Sequence, residues 1–308
     1  MSGCDAAAPR QGEAASDGML SMVGTPIGNL EDASPRVLQT LRRADLLLCE
    51  DTRVTSKLLA HFGIRVPLQR CDENVIADRA EAILDRVAAG DRVAFVSDAG
   101  MPGVSDPGQH LVDGALDRGL PTEVIPGPSA VTCALVASGL PMSNFFFQGF
   151  LPRKASAQRE RLSALARIPG ALVIYESPHR VAGTLAVIAE CLPARRVALV
   201  RELTKLHEEV VRDEAAALAA QITARDEIRG ECVIVIAPPT GEELEERRHA
   251  TASAGEAPTL DEAIREGLAA GEPKSTLAKR LSKAFSAPRA QVYDQVVAAA
   301  QALANDEP

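Results

Sequence analysis

Acidic side chains recur in this sequence where an apolar run gives way to a loop rich in glycine and proline. The clearest example is residues 97–108, which read S-D-A-G-M-P-G-V-S-D-P-G after the apolar run at 92–96. Three glycines and two prolines prevent this segment from continuing a strand or filling a helix interior. Asp98 and Asp106 can accept hydrogen bonds from a ligand hydroxyl or ammonium group. An open α/β sheet usually receives its ligand at such a loop, although an ordinary strand-to-helix turn also has this composition.

Charged residues follow other predicted strands as well. C-E-D-T-R ends at Arg53, and its order fits either a solvated helix start or a loop that positions a substrate. Y-E-S-P-H-R at 175–180 starts a predicted helix directly after a strand. R-E-L-T-K at 201–205 is either an exposed charged turn or part of the same site. All three clusters are candidates for contact with a ligand.

Two glycine-bearing corners can add backbone groups to such a site. G-T-P-I-G-N follows the first predicted strand, but it matches neither common phosphate-loop pattern, and Pro26 removes a backbone donor. This corner therefore suits an uncharged or cationic part of a ligand. P-G-P-S-A leads into an apolar helix, where the free N–H groups near Ser129 and Ala130 can bind a carboxylate.

The composition is typical of a soluble globular protein, with 308 residues, 46% of them apolar and 24% charged. The net charge of −9 argues against nucleic-acid binding by the whole surface but allows a local basic face. Six scattered cysteines without a C-x-x-C pair argue against zinc or disulfides and fit a reducing cytoplasm, and no metal site is expected. No apolar run of about 18 residues is present, so we expect no membrane span.

Alternating strand and helix patterns divide the chain. We expect a disordered tail at 1–18, α/β domains at 19–142 and 143–238, a charged linker at 239–257 and helices at 258–308. The predicted fold is α/β, with two open sheets that face each other across a cleft. The last helices resemble a small helix-turn-helix.

Basic residues cluster in two places. The segment 153–167 has five basic residues and one acid, and 273–293 has five basic residues and no acid. Both can be solvated helix faces, and the second can be a simple packing bundle, but against a net negative chain they favour contact with RNA or DNA. The residues concerned are Arg153, Lys154, Lys274, Lys279, Arg280, Lys283 and Arg289.

Seven motifs occur in one order between Gly24 and Lys205: G-T-P-I-G-N-L, C-E-D-T-R, S-D-A-G-M-P-G-V-S-D-P-G, P-G-P-S-A, G-F-L-P-R-K, Y-E-S-P-H-R and R-E-L-T-K. Together they resemble the ribosomal RNA small-subunit methyltransferase I family, a branch of the tetrapyrrole methylase superfamily. The resemblance covers about 19–238, and the basic helices look like the small C-terminal domain of that family.

The resemblance implies S-adenosylmethionine-dependent methylation of the ribose 2′-hydroxyl of a cytidine in the decoding region of 16S rRNA. It also implies a cofactor cleft between two domains, a homodimer, and the small ribosomal subunit or its rRNA as partner. Carried over by position, the cofactor contacts are Thr25, Pro26, Asp98, Ala99, Gly100, Pro102, Ser129, Ala130, Tyr175 and Glu176.

The chemistry adds further candidates. A ribose hydroxyl is a very weak acid, so a positioned base or a nearby cation helps it attack the methyl group. Glu202 and Lys205 are the predicted catalytic pair, chosen from strand-end candidates that include Glu50 and Asp51. Arg53, Arg180 and Arg201 are predicted to hold phosphates.

Two positions depart from the expected pattern: Met101 stands where threonine is common, and Cys71 where histidine is expected. Two other functions stay open, namely methylation of a tetrapyrrole ring and a non-catalytic RNA-binding role in ribosome assembly.

Overall fold

A computed structural model describes residues 18–103, 108–245, 260–270, 272–285 and 287–305. The chain divides into two compact units, Met1–Pro239 and Thr240–Pro308. The expected tail up to residue 17, most of the expected linker and Asp106 lie outside the described residues.

The first sheet contains five parallel strands in the order β3-β2-β4-β1-β5. The strands are β1 (Met19–Val23), β2 (Leu46–Cys49), β3 (Leu68–Arg70), β4 (Arg92–Val96) and β5 (Thr122–Ile125). β3 begins directly after Pro67, which has no N–H to donate to the ladder.

Helices cover both faces of this sheet, which is why its strands are almost continuously apolar. They are α1 (Pro35–Arg43), α2 (Thr52–His61), α3 (Ile76–Ala88) and α4 (Gln109–Asp117). Leu20 and Phe95 belong to the core cluster on the α3 and α4 side, and Leu47 and Val96 belong to the cluster on the α1 and α2 side. Ligand-binding loops are therefore confined to the edge where the parallel strands end.

The second sheet is mixed, with strand order β6-β7-β10-β8-β9. Its strands are β6 (Phe145–Phe150), β7 (Ala171–Glu176), β8 (Arg196–Arg201), β9 (Glu209–Glu214) and β10 (Cys232–Ile236). β6 and β7 are parallel, whereas β10 runs antiparallel to both of its neighbours. The start of β10 therefore lies beside the ends of β7 and β8.

Helix α5 (Ala130–Ser138) joins the two sheets. It follows β5, but its apolar residues Val131 and Leu135 pack on Val173 and Val200 of the second sheet. The opposite face of that sheet carries α6 (Ala155–Leu165), α7 (Val181–Cys191) and α8 (Ala215–Thr223). Helix α5, which follows the last strand of the first sheet, thus belongs to the apolar core of the second sheet and connects the two.

The second unit contains α9 (Leu260–Ala269), α10 (Lys274–Ala284) and α11 (Arg289–Asn305). Ile264, Leu277, Leu281, Val292 and Val296 form its buried core. α10 ends at Ala284 and α11 begins at Arg289. None of the helices in the described ranges is long and apolar enough to cross a membrane.

Candidate active site between the two sheets

A cavity of about 390 Å³ opens where loops from both sheets meet. Strand ends of β4 and β7, the start of β10 and the first turn of α5 supply its lining. This volume is in the range of about 300–1,000 Å³ that is usual for small-molecule sites. The lining residues are Ile27, Ala99, Gly100, Met101, Ser129, Ala130, Phe150, Tyr175, Glu176, Ser177, Pro178, Gly230, Glu231, Cys232 and Val233.

Backbone contacts hold the loops of the first sheet against each other. Thr25 and Gly100 exchange both backbone hydrogen bonds, at 2.9 and 3.1 Å, as an isolated antiparallel bridge. Gly100 has a φ of +83°, a backbone conformation that glycine adopts readily. Gly24 and Gly127 approach so closely that a Cβ on Gly24 would lie 2.6 Å from the Gly127 nitrogen. The position of the loops that line the site is therefore set by contacts between backbone segments.

Aromatic rings form one wall of the cavity. The Tyr175 ring packs edge-on against Phe147 and Phe150, with centroid separations of 4.8 and 5.9 Å. Burial raises the pKa of Tyr175, so its phenol is neutral at physiological pH. Phe150 is 56% exposed although it is large and apolar. This wall offers a stacking surface to a planar ligand group.

Glu176 lines the first cavity, but contacts within the protein hold its side chain. Its side chain is fully buried, accepts hydrogen bonds from the Thr184 hydroxyl at 2.7 Å and the Ser177 N–H at 2.9 Å, and lies 3.2 Å from an Arg180 nitrogen. These contacts attach the end of β7 to the start of α7. Its carboxylate is satisfied inside the protein, so a ligand would meet the backbone here.

A second cavity, of about 380 Å³, adjoins the first. Of the predicted cofactor contacts, Thr25, Pro26 and Asp98 line only this second cavity, and Ala99 lines both. Gly100, Ser129, Ala130, Tyr175 and Glu176 line only the first cavity, and Pro102 is buried and belongs to neither lining set.

Asp98 connects two strand ends at the second cavity. Its Oδ1 accepts a hydrogen bond from the Asp51 N–H at 3.0 Å, and its own N–H donates to Glu50 Oε1 at 3.2 Å. Asp51 also caps α2 by accepting from the Arg53 N–H at 2.8 Å. Hydrogen bonds from Arg53 lower the pKa of Asp51 to about 2. Asp51 and Asp98 are thus held in place by hydrogen bonds within and between the loops at these two strand ends.

Glu202 and Lys205 are in direct contact. Lys205 Nζ lies 2.8 Å from Glu202 Oε1 and 3.1 Å from Glu231 Oε2. Burial by itself would lower the pKa of Lys205, but hydrogen bonds to Glu202 and Glu231 outweigh it and the pKa is raised. Hydrogen bonds from Lys205 and from the Glu231 N–H lower the pKa of Glu202. At neutral pH this cluster consists of one ammonium group held by carboxylate groups.

The turn that carries this cluster is strained. Glu202 and Thr204 have φ values of +50° and +64°, which residues other than glycine adopt at a cost of about 1 kcal/mol or more. The Asn29 N–H donates to Thr204 Oγ1 at 3.0 Å, so the turn also contacts the first loop of the other sheet. The contacts of Glu202 and Thr204 with neighbouring residues hold the backbone in this strained conformation.

The predicted phosphate-binding arginines differ in their surroundings. Arg180 Nη2 donates to the Leu151 and Pro152 carbonyl groups at 2.9 and 3.2 Å, and Arg201 is only 15% exposed and donates to Glu209 at 2.9 Å and to the Arg229 carbonyl. Both hold the protein backbone. Arg53 is exposed but pairs with Asp51, whereas Arg153 and Lys154 are exposed at the start of α6.

The basic residues of the second unit are exposed. Arg280 pairs with Glu272 at 2.7 Å. Lys274, Lys279, Lys283 and Arg289 have no ion-pair partner within the described ranges. Their charges are therefore available to a ligand.

The two departures from the expected pattern have defined contacts. The Gly127 N–H donates to Met101 Sδ at 3.2 Å, so the methionine both lines the first cavity and holds the neighbouring corner. Cys71 is buried in the core of the first sheet, where burial raises its pKa to about 11. It supplies no ionised group.

Curated relatives match most of the chain. Ribosomal RNA small subunit methyltransferase I of Xylella fastidiosa is 41% identical over 279 residues, which cover 90% of this chain and 98% of the relative. The protein of the same name from Thermotoga maritima is 43% identical over 219 residues, which cover 71% of this chain and 98% of the relative. The chain belongs to the ribosomal RNA small subunit methyltransferase I family. The resemblance found in the sequence is confirmed.

The fold of this family member is confirmed by wider comparisons. Residues 19–219 match the model of the tetrapyrrole (corrin/porphyrin) methylases. A cobalt precorrin-4 methyltransferase structure aligns with a TM-score of 0.57 at 18% identity, covering 74% of this chain and 98% of the other. A diphthine synthase structure aligns with a TM-score of 0.57 at 17% identity, covering 74% and 93%. At this identity the two structures support the fold alone.

The predicted site residues did not include several side chains that line this family member's cleft, among them Ile27, Phe150 and Glu231. Glu231 precedes β10, whereas the sequence-based prediction looked for site residues directly after strands. Because β10 is antiparallel to its neighbours, its beginning lies at the site. The signal available in the sequence was the G-E pair at 230–231, directly before the last apolar run.

Proposed function

We propose that this protein transfers a methyl group from S-adenosylmethionine to the ribose 2′-hydroxyl of a cytidine in the decoding region of 16S rRNA. The observation that carries the proposal is the pair of adjoining cavities at the strand ends, in a chain 36–43% identical to curated methyltransferases of that name. The names of those relatives describe methyltransferases for the ribosomal RNA of the small subunit.

The first cavity fits the methyl donor chemically. The aromatic wall of Tyr175 and Phe150 can stack on a purine. Amide groups at the start of α5, near Ser129 and Ala130, can bind the amino-acid carboxylate. A uroporphyrin-III C-methyltransferase from Thermus thermophilus with a related fold is described in complex with S-adenosylhomocysteine, at 21% identity and a TM-score of 0.50. When bound, the donor supplies an electrophilic methyl group on a positively charged sulfur.

The remaining tasks belong to the protein: alignment of the acceptor oxygen, exclusion of water and removal of one proton. We propose that Lys205 and Glu202 take part in orienting the acceptor. The raised pKa of Lys205 keeps it protonated, so its ammonium group stays bound to Glu202 and to Glu231, and Glu231 lines both cavities. The lowered pKa of Glu202 makes it a weak base, which suits it to holding Lys205.

The RNA requires a basic surface outside the cleft. We propose that Arg153, Lys154 and the exposed basic residues of α10 and α11 contact phosphates, with Arg53 beside the second cavity. Arg180 and Arg201 remain predictions as phosphate ligands, and their intramolecular contacts favour a structural role instead. Binding through phosphates is strongly salt-dependent.

We further propose a homodimer that acts in the cytoplasm, where ribosomes are assembled. Val124 on the edge strand β5 and Val136 on α5 are apolar side chains that are 57% and 68% exposed, and a homodimer interface would cover them. Sedimentation velocity at several protein concentrations tests the dimer directly.

The experiment that tests the function uses small ribosomal subunits purified from cells that lack the modification. The protein is incubated with these subunits and with donor carrying a labelled methyl group, and the labelled nucleotide is mapped. We expect one labelled cytidine, modified on its ribose. Absence of label, together with no donor binding in calorimetry, would support a non-catalytic role. Label transferred to an added tetrapyrrole and not to the subunit would support the other open function.

A further inference from the structure

The two cavities of the cleft meet at a boundary made by three residues. Ile27, Ala99 and Glu231 line both of them. Two of the three are apolar, so Glu231 is the one polar side chain that both described lining sets contain. A methyl group that passes from a ligand in one cavity to a ligand in the other must cross this boundary.

The second cavity differs from the first in its lining. Helix α2 contributes Val54, Lys57 and Leu58, and the first loop contributes Pro26. It has no aromatic wall, but it combines aliphatic side chains with the exposed ammonium group of Lys57. An aliphatic surface beside a cation suits a nucleoside with its phosphate.

Lys57 is available to such a ligand. It is exposed, and it has no ion-pair partner among the residues that the structure describes. The neighbouring Arg53, by contrast, pairs with Asp51 through Nη2 at 2.6 Å. An unpaired cation in the lining of a cavity is notable in a chain whose net charge is −9.

Contacts with Lys205 and Glu202 hold Glu231 at the boundary between the cavities, but most of its side chain remains exposed. Its Oε2 lies 3.1 Å from Lys205 Nζ, its N–H donates to Glu202 Oε1 at 2.9 Å, and its side chain remains 71% exposed. Glu202 itself lines neither cavity in the described lining sets. Glu202 and Lys205 therefore fix the position of Glu231, and Glu231 faces the cavities.

We propose that the second cavity receives the acceptor nucleotide, that Glu231 accepts a hydrogen bond from its ribose 2′-hydroxyl, and that Lys57 binds its phosphate. This rests on the proposed function and adds the acceptor site to it. In the transfer, the bond between sulfur and the methyl carbon breaks and the bond between the 2′-oxygen and that carbon forms. The hydroxyl proton passes to Glu231 and then to solvent, and the positively charged sulfur becomes a neutral thioether. Glu202 is a positioning residue in this scheme.

Lys57→Ala tests the phosphate contact. We expect the KM for unmodified small subunits to rise about tenfold or more, because a charge-assisted contact is lost. The Kd for S-adenosylmethionine, measured by calorimetry, should stay unchanged because Lys57 does not line the first cavity. Lys57→Arg should restore most of the affinity. Arg43→Ala, which removes an exposed charge from α1 outside both cavities, should change neither constant.

Val54→Trp tests the cavity itself. Val54 is 40% exposed on α2, so an indole can fill the second cavity without burying a polar group. We expect turnover to be lost while donor binding persists, and Leu116→Trp on the exposed face of α4 serves as the matched control. Glu231→Gln should lower kcat about 100-fold or more, with the Kd for the donor preserved.

The outcomes separate the acceptor site from the function on which it rests. If wild-type protein does not methylate small subunits, the proposed function fails. The function stands and the acceptor site is wrong if wild-type protein methylates them, Lys57→Ala and Val54→Trp behave like their controls, and Glu231→Gln behaves like the wild-type protein. Loss of donor binding in Val54→Trp would place the donor in the second cavity and overturn the assignment.

Discussion

Gly230 leaves open the space that the Glu202 carboxyl group occupies: a Cβ on Gly230 would lie 2.2 Å from Glu202 Cδ. Gly230 also has a φ of +84°, which other residues adopt only with strain. Glu202 in turn accepts hydrogen bonds from Lys205 and from the Glu231 N–H. The glycine is therefore required for the arrangement of the whole acidic cluster.

Gly230→Ala should displace Glu202 and loosen Lys205 and Glu231. We expect kcat to fall as far as it does in Glu202→Ala, by about tenfold or more, because misplacement of a positioning group reduces alignment. Steady-state kinetics on both single variants and on the double variant measure this. The double variant should lose no more than either single variant, and additive losses would show that Gly230 acts on something else.

Gly24→Ala should widen the first cavity. Its Cβ would meet the Gly127 nitrogen and Met101 Sδ at 2.6 Å, and a backbone neighbour cannot rotate away. We expect a loss of about 1–3 kcal/mol in unfolding free energy and at least tenfold weaker donor binding.

Gly183→Ala is the matched control for that variant, because a Cβ there meets nothing within 4 Å on α7. Alanine in a helix should raise the unfolding free energy by about 0.5–1 kcal/mol and leave donor binding unchanged. Urea denaturation and calorimetry provide both readouts. Equal behaviour of the two variants would contradict the close approach of the two loops.

Glu209 links stability to acid pH. Hydrogen bonds from Arg225 and Arg201 lower its pKa from 4.5 to about 2. Because the folded-state pKa is depressed, this stabilisation is complete above the unfolded value of 4.5 and is lost as the pH falls towards 2. Glu209→Gln should therefore destabilise the protein more at pH 7 than at pH 3.5, as urea denaturation would measure.

Glu160→Gln is the control for the acid series. Glu160 is exposed on α6 and has no ion pair within the described ranges, so its substitution should have little effect at either pH. A pH-independent difference between wild type and Glu209→Gln would mean that the ion pairs of Glu209 do not form in solution.

The exposed lysines of α10 should contribute separately to RNA binding. Lys279→Ala and Lys283→Ala are each expected to weaken binding to small subunits and to reduce the slope of log K against log salt concentration by about one. Arg280→Ala should have a smaller effect because Arg280 pairs with Glu272 at 2.7 Å. Filter binding across a salt series measures all three. An equal effect of Arg280→Ala would show that this ion pair opens on binding.

The alternation of apolar runs and helical patterns was sufficient to predict both α/β halves, because buried parallel strands are continuously apolar and glycine or proline ends them. The C-terminal helices were also predicted. By contrast, the sequence does not reveal that α5 packs on the second sheet, since its residues are apolar on every side and its partner is set by tertiary packing.

The site was predicted less completely than the fold. The corners at 24–28, 97–102 and 126–130 were found because their backbone demands glycine and proline. The division of their residues between two cavities depends on how the loops meet in space, and a linear pattern does not contain that information. Arg201 is predicted as a phosphate ligand from its neighbours in the sequence, which does not reveal that the hairpin of β8 and β9 brings Glu209 opposite to it.

The most direct test of the two-cavity cleft is a crystal structure of the protein with S-adenosylhomocysteine and cytidine 5′-monophosphate. We predict the adenine against Tyr175 and Phe150, the sulfur at the boundary formed by Ile27, Ala99 and Glu231, and the nucleotide on the other side with its phosphate near Lys57. A homocysteine group that extends into the second cavity, or a ligand bound outside the cleft, would contradict this arrangement.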